Sequence, residues 1–305
     1  MEGMNELKDL FEQRKTVASY GIKYLDDTLG GIHKGELILI GARSGAGKST
    51  LARQIAIHNS SLGRRVKLLS LEDYKGDAIF KEMFFTYRAL SGNKISMEDF
   101  RNSRGIDWEI MQKCYDLEKE KMANITLIER GTKDYTIETI SNHIHSNKKN
   151  IFDLLIIDHL DYVDKDNPRD DDNTHVTELM KAIRAKQSLT NIPIIAFSHL
   201  RKAMYGKQRS IIPTMDDFIG SSNKVKQATQ VIMFAPDDEG NMNSATPLLR
   251  KTWCCIRKDR LFGWRNQAAK LYFNSQTGKY TDDVDIYFTN YEGSEMHAKG
   301  KNNDE

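Results

Sequence analysis

Residues 42–49 read Ala42-Arg43-Ser44-Gly45-Ala46-Gly47-Lys48-Ser49, followed by Thr50. The run fits the phosphate-binding loop pattern, with Ala in the first position where Gly is usual. Gly45 and Gly47 let the backbone curl until its N–H groups face phosphate oxygens. A helix starting at the end of the loop adds the positive end of its dipole. Lys48 supplies a mobile charge for the β- and γ-phosphates, and Ser49 offers a hydroxyl to Mg²⁺. An apolar run at 36–40 precedes the loop and a helical pattern at 49–60 follows it, a context that a glycine-rich turn matching by accident would lack. Ala42 through Thr50 therefore form a candidate site for ATP and Mg²⁺. Nucleotide binding alone does not say what the nucleotide drives.

Three further positions supply complementary chemistry. Asp158 closes the apolar run Leu154-Leu155-Ile156-Ile157, so its carboxylate stands at a strand end, where it can hold Mg²⁺ through water. Glu72 ends the run Leu69-Ser70-Leu71 and can polarise an attacking water as general base, though a strand-end surface glutamate reads the same way. Ser198 and His199 end the run Ile194-Ile195-Ala196-Phe197, where a polar side chain can touch a γ-phosphate and where a single histidine can equally be structural. Asp161, three residues past Asp158, reads as a solvated loop acid. The acidic stretch 164–172 lacks the spacing of a calcium loop and reads the same way.

The elements that must carry these residues follow from periodicity. Short apolar runs at 36–40, 65–71, 125–128, 152–157, 192–197 and 231–234 predict strands. Between them, 49–60, 136–146 and 173–190 predict helices, and 77–121 predicts a largely polar helical region containing some loop. This alternation implies an α/β fold with a mostly parallel central sheet and helices on both faces. Right-handed crossovers then gather the loops after the strands on one edge, where ligands bind. Runs at 253–256 and 270–273 suit a late hairpin, and 4–14 reads as an amphipathic helix with Met4, Leu7 and Phe11 on one face. Residues 1–20 are expected to form an N-terminal linker helix, 21–290 the ATPase domain and 291–305 a polar, unstructured tail.

Bulk composition narrows the class. The 305 residues suit one domain with small extensions, and a hydrophobic fraction of 39% supports a full core. With Lys+Arg at 45 and Asp+Glu at 43 there is no global basic field. Contact with nucleic acid must come from local loops or from a channel built by several subunits. Cys114, Cys254 and Cys255 offer neither a disulfide framework nor zinc spacing, which suits a reducing compartment. No apolar run reaches membrane-spanning length, and the acidic start does not read as a signal or transit peptide.

Taken in order, these blocks resemble the RecA-like motor domain of the DnaB-type hexameric replicative helicases, and most of all the helicase domain of the T-odd phage primase–helicases. The resemblance covers roughly residues 20 to 285. It rests on Leu25-Asp26-Asp27-Thr28-Leu29-Gly30-Gly31 with Lys34-Gly35-Glu36-Leu37, on Leu71-Glu72 after Gly63-Arg64-Arg65-Val66, on Ile157-Asp158-His159, on His199-Leu200-Arg201-Lys202 and on Arg257-Lys258-Asp259-Arg260. It implies a P-loop NTPase fold, ATP hydrolysis with Glu72 as the catalytic base, and His199 as γ-phosphate sensor where bacterial members usually carry Gln. Lys258 and Arg260 would act on the neighbour's nucleotide, Arg260 as the arginine finger; the alternative is a solvated basic strand. The implied assembly is a homo-hexamer moving 5′ to 3′ on single-stranded DNA in the cytoplasm of a bacterium or a phage-infected host.

Two departures from the family pattern matter. Only about 20 residues precede the motor, so a separate primase or loader is the expected partner. In Asp217-Phe218-Ile219-Gly220-Ser221-Ser222, Ile219 stands where the family typically has Arg, leaving Gly220, Ser221 and Lys224 as candidate phosphate contacts. Arg201, Lys202, Lys207 and Arg209, with Tyr205 among them, suit a single-strand channel or a solvated loop. The rival function is a RecA- or KaiC-like ATPase that assembles on DNA as recombinase, loader or regulator without unwinding it.

Overall fold

The structure is a computed structural model of the chain, and it describes all residues except 1, 44, 75, 93, 131–134, 146–150, 202–211, 219–220, 237–248, 295 and 299–305. The chain opens with α1 (Glu2–Gln13), β1 (Thr16–Ala18), α2 (Lys23–Leu29) and β2 (Ile32–His33). Strand β3 (Leu37–Ala42) leads through the phosphate loop to α3 (Lys48–Ser61) and β4 (Val66–Ser70). Helices α4 (Asp77–Leu90), α5 (Met97–Arg101) and α6 (Trp108–Lys121) precede β5 (Ile125–Glu129), α7 (Ile137–Ile144) and β6 (Leu154–Asp158). A 3-10 turn, Leu160–Tyr162, comes before α8 (Asp172–Thr190) and β7 (Ile194–His199), and a second, Met215–Asp217, follows β7. The short α9 (Ser221–Gln227) is followed by β8 (Gln230–Pro236), β9 (Leu249–Asp259), β10 (Gln267–Asn274), β11 (Lys279–Thr289) and β12 (Met296–Ala298).

Ten strands form one sheet in the order β12-β11-β10-β9-β8-β3-β7-β6-β4-β5. From β8 to β5 all pairings are parallel, and from β8 to β12 all are antiparallel. Side chains of β3 alternate between two cores, which is why all six of its residues are buried. Ile38, Ile40 and Ala42 pack with Leu51, Ala52 and Ile55 of α3 on one face. Leu37 and Leu39 pack with Leu179, Met180 and Ile183 of α8 on the other. The adjacent Cys254 and Cys255 divide between the same two cores and are free thiols.

The expected parallel sheet, covered on both faces, is present. The region at 77–121 is three helices with their own small core of Phe84, Tyr87, Ile95, Phe100 and Cys114. Gly92 and Gly105, with φ of 72° and 65°, stand in the breaks between them. The hairpin expected from 253–256 and 270–273 forms, with Lys270 opposite Trp253. Two features differ from the sequence reading. The turn-rich stretch before β3 contains α2, which ends on Gly30 in the left-handed conformation (φ 73°). The tail expected to lack structure from 291 carries β12, whose Met296 pairs with Thr289. Short polar strands escape a reading based on apolar runs, because their order comes from main-chain pairing to an existing edge.

Candidate functional site

The phosphate loop connects β3 to α3 at the carboxyl edge of the parallel strands. Gly45 and Gly47 take φ of 75° and 84°, a left-handed backbone that other residues adopt only at a cost. Gly47 is needed for space as well: a Cβ there would overlap the Tyr280 hydroxyl. Tyr280, on β11, donates to Ala46 O (3.2 Å), while the side-chain amide of Gln54 on α3 accepts from Tyr280 N (2.7 Å) and donates to Tyr280 O (2.9 Å). The antiparallel strands therefore support the loop from below, a role carried by no sequence motif. Ala42, the departure from the usual first glycine, is the buried last residue of β3. Arg43 O accepts from Ala46 N (3.2 Å) and lies 3.5 Å from Lys48 Nζ. Thr50 lines a cavity of about 310 Å³ along α3 with Gln54, His58, Gly278 and Lys279. Ser44 lies outside the described residues.

Lys48 is 4% exposed. Burial lowers its pKa, against the opposing pull of the Glu72, Asp158 and Asp161 carboxylates. Two of the residues expected at the site, Glu72 and Asp158, therefore act electrostatically on the loop lysine, together with Asp161. The Asp158 carboxyl is pushed up by burial, partly offset by a hydrogen bond from Ser49 and by the charges of His159 and Arg53. Its Oδ1 is buried and has no hydrogen-bond partner among the described residues. A buried, orphaned carboxylate oxygen beside a serine hydroxyl is a donor set suited to Mg²⁺. Glu72 follows β4 and is 38% exposed in its side chain, open to a water or a phosphate. Its Oε2 is 3.3 Å from Nε2 of the buried His159. Next to it, Asp73 is clamped by Arg53 (3.0 Å) and Lys81 (2.7 Å), and Arg53 also holds Glu82 (3.2 Å). This clamp from α3 fixes the segment that carries Glu72, and the sequence motifs did not point to it.

His199 ends β7 with its ring against His159, centroids 4.1 Å apart. Its Nε2 is buried without a partner among the described residues. Burial lowers its pKa to about 4, helped by His159 and Lys48 and opposed by Asp161 and Glu72. The imidazole is thus neutral at neutral pH and acts as a hydrogen-bonding group rather than a cation. Asp161 corrects the expectation of a solvated loop acid. Its side chain is 18% exposed and accepts from His199 N (2.6 Å), His159 Nδ1 (3.2 Å), Ser198 Oγ and Lys224 Nζ (2.8 Å). Burial works to raise its pKa and is outweighed by His159, Lys224 and the His199 amide, which hold it well below the usual carboxylate range. His159, Asp161 and His199 place ligand atoms within 4.8 Å of one another, but the Lys224 ammonium already occupies the carboxylate.

Lys224 is a second correction. Expected as a phosphate contact, it is fully buried on α9, its ammonium shared between Asp161 and Ser198 (2.7 Å). Lys258 and Arg260 stand at the end of β9. Lys258 Nζ donates to Val225 O (2.5 Å) and Ala228 O (2.8 Å), and burial lowers its pKa to about 8. Arg260 is exposed and donates to Lys226 O. Their neighbour Arg257 is buried and structural, bonding Ile212 O, Pro213 O and Asn266. Arg201 is exposed at the end of β7, and its main-chain N–H donates to Asp217 O (2.7 Å), so the two candidate DNA loops start side by side. Lys202, Tyr205, Lys207, Arg209, Ile219 and Gly220 lie outside the described residues; Ser221 opens α9.

A parallel sheet with a glycine loop, an invading lysine and a strand-end aspartate at its carboxyl edge defines an α/β P-loop nucleotide-binding protein. More narrowly, residues 18–282 match the DnaB-like helicase C-terminal domain, and the chain belongs to that family. It is 26% identical over 235 residues to the "Probable plasmid replicative DNA helicase" of Chlamydia trachomatis serovar L2, covering 73% of this chain and 48% of that one. It is also 26% identical over 257 residues to the replicative DNA helicase DnaB of Helicobacter pylori strain 26695, covering 77% and 49%. The chain thus spans about half the length of these curated relatives. A solved DnaB-like replicative helicase, described together with its interactions with primase, shares the fold. It superposes with a TM-score of 0.72 at 18% identity, over 92% of this chain and 66% of that one. A KaiC-like protein of Pyrococcus horikoshii shares it less closely, with a TM-score of 0.57 at 16% identity over 88% of this chain and 99% of that one.

Proposed function

We propose that this chain is the ATP-driven motor of a replicative DNA helicase, working as a ring on single-stranded DNA. The observation that carries the reading is the meeting of Lys48, Glu72, Asp158 and His199 around one phosphate loop in a member of this family. Ser49 and Asp158 would hold Mg²⁺, which supplies charge neutralisation at the phosphates when bound. Lys48 binds the β- and γ-phosphates, Glu72 takes a proton from the attacking water, and neutral His199 hydrogen-bonds the γ-phosphate.

Arg260, exposed beyond β9, would reach a neighbour's nucleotide from a homo-hexamer, with Lys258 beside it. Arg201, Lys202, Lys207, Arg209, Gly220 and Ser221 would line the channel. Movement 5′ to 3′, a separate primase or loader and a cytoplasmic location belong to the same reading. Among the described residues no helix is long and apolar enough to cross a membrane. The test is a forked-duplex assay alongside ATPase measured with and without single-stranded DNA. Stimulated hydrolysis with strand separation is expected; stimulated hydrolysis without separation at any strand polarity would instead favour a recombinase or loader.

A further inference from the structure

Phosphate chemistry and metal binding leave Asp161 without a task, yet it is held by groups from three separate parts of the chain. It sits on the 3-10 turn after β6. From β7 it accepts the His199 main-chain N–H (2.6 Å) and the Ser198 hydroxyl (3.2 Å). From its own turn it accepts His159 Nδ1 (3.2 Å), and the other nitrogen of that ring faces Glu72 at 3.3 Å. From α9 it accepts Lys224 Nζ (2.8 Å), which is fully buried. A buried ammonium without its carboxylate is strongly unfavourable, so α9 cannot shift away from Asp161 while Lys224 stays charged and dry. The C-terminal turn of α9, just past Lys224, is gripped too, by Lys258 on Val225 O and Ala228 O and by Arg260 on Lys226 O. One short helix is thus fastened to this subunit's phosphate-reading groups from its middle and to the candidate trans-acting cations at its C-terminal end.

We infer that Asp161 is a positioning residue that ties α9, through Lys224, to His199, His159 and Glu72, so that nucleotide occupancy and the position of α9 change together. The inference rests on the proposed roles of Glu72 and His199 at the γ-phosphate. It makes Lys224 an internal tether rather than a ligand of DNA. Bonds of α9 to Asp161 would respond when a γ-phosphate draws His199 and Glu72 toward itself, and α9 begins where the second candidate DNA loop ends. The contacts give a continuous physical route from the γ-phosphate groups to α9.

The experiment is amide hydrogen exchange over 221–228 in the full chain, with and without a non-hydrolysable ATP analogue and Mg²⁺. Wild type, Asp161→Asn, Lys224→Met and the double variant are compared, and fluorescent-nucleotide titration gives occupancy. In wild type the analogue should change exchange in α9 by about tenfold. Each single variant should lose most of that response while binding the analogue within about threefold of wild type. The double variant, with no orphaned charge, should recover thermal stability but not the response. An α9 that ignores nucleotide in wild type overturns the inference, as does a variant that keeps the wild-type response. If both single variants lose analogue binding and melting temperature together, Asp161 is merely structural. No nucleic acid is present in this experiment, so failure of wild-type ATPase to respond to single-stranded DNA would count against the helicase reading alone.

Discussion

At the scale of single residues, the site separates binding from chemistry. Lys48→Ala removes the buried charge facing the phosphates and should abolish both nucleotide binding and hydrolysis. Glu72→Gln keeps the shape and the neighbouring Asp73–Arg53 clamp but removes the base. It should bind ATP like wild type and lose about 10²–10⁴-fold in kcat, read from single-turnover hydrolysis against equilibrium binding. A Glu72→Gln enzyme turning over at the wild-type rate would remove Glu72 from the base position. Away from the site, Glu36 at the start of β3 carries a pKa raised from 4.5 to about 7, chiefly by burial, with Asp259 adding to the rise. The folded state holds this proton after the unfolded chain has released it, so stability should fall as pH rises from about 4.5 to about 7 and level off above, by on the order of 3 kcal/mol. Glu36→Gln should flatten that part of the stability–pH curve, measured by urea melts; superimposable wild-type and variant slopes would mean the carboxyl ionises freely in the fold. The residues legible in the sequence were those whose type is dictated by phosphate chemistry, Lys48, Ser49 and Asp158. Asp161 and Lys224 were misread because burial and partnership at distances of 37 and 63 residues leave no local pattern.

At the scale of elements, the inner strands of the parallel half, β3, β4, β6, β7 and β8, were legible because each is a short, mostly apolar run buried on both faces. The antiparallel half was only partly so. Strand β11 mixes Lys279, Thr281, Asp282 and Asp285 with its aromatics, so it presents no apolar run although it carries the support for the phosphate loop. Tyr280 packs against Phe234 and Phe273, with centroids at 5.0 and 5.1 Å, and caps Ala46 O. Tyr280→Phe removes one hydrogen bond and should cost about 0.5–1.5 kcal/mol, with ATP affinity falling by a comparable amount. Tyr280→Ala opens a cavity under the loop and should cost about 3–5 kcal/mol. Thermal melts with and without ATP separate the two effects: ligand-induced stabilisation should shrink in both variants. If Tyr280→Ala melts early yet gains as much from ATP as wild type, β11 supports the sheet and not the loop. Helix α1 shows the limit of periodicity from the other side. Its apolar stripe is real, but Met4, Leu7 and Phe11 are 59%, 45% and 71% exposed, so the pattern predicted a helix and left open what covers it.

At the scale of the whole molecule, the question is whether one chain contains a complete active site. Lys48, Glu72, Asp158 and His199 converge within a single subunit, whereas Arg260 is exposed and bonded to Lys226 O on its own chain. If Arg260 acts on a neighbour's γ-phosphate, it must leave that carbonyl, and hydrolysis becomes a property of an interface. Arg260→Ala should then retain ATP binding while hydrolysis falls by about a thousandfold or more, the scale of a finger that neutralises transition-state charge. Mixing separates this from damage within the subunit. Arg260→Ala chains keep a sound phosphate loop, and Lys48→Ala chains keep a sound finger. Co-assembled at ring-forming concentration, they should contain some interfaces pairing the two sound halves, and part of the ATPase should return although each variant alone has almost none. If mixed oligomers are demonstrated by sizing and no activity returns, then Arg260 does not act across an interface or the ring fires only when every site is intact. A dilution series of wild type distinguishes those two outcomes. Activity per subunit that falls as the oligomer dissociates supports the concerted ring, whereas activity unchanged down to the monomer excludes a finger supplied from outside the chain.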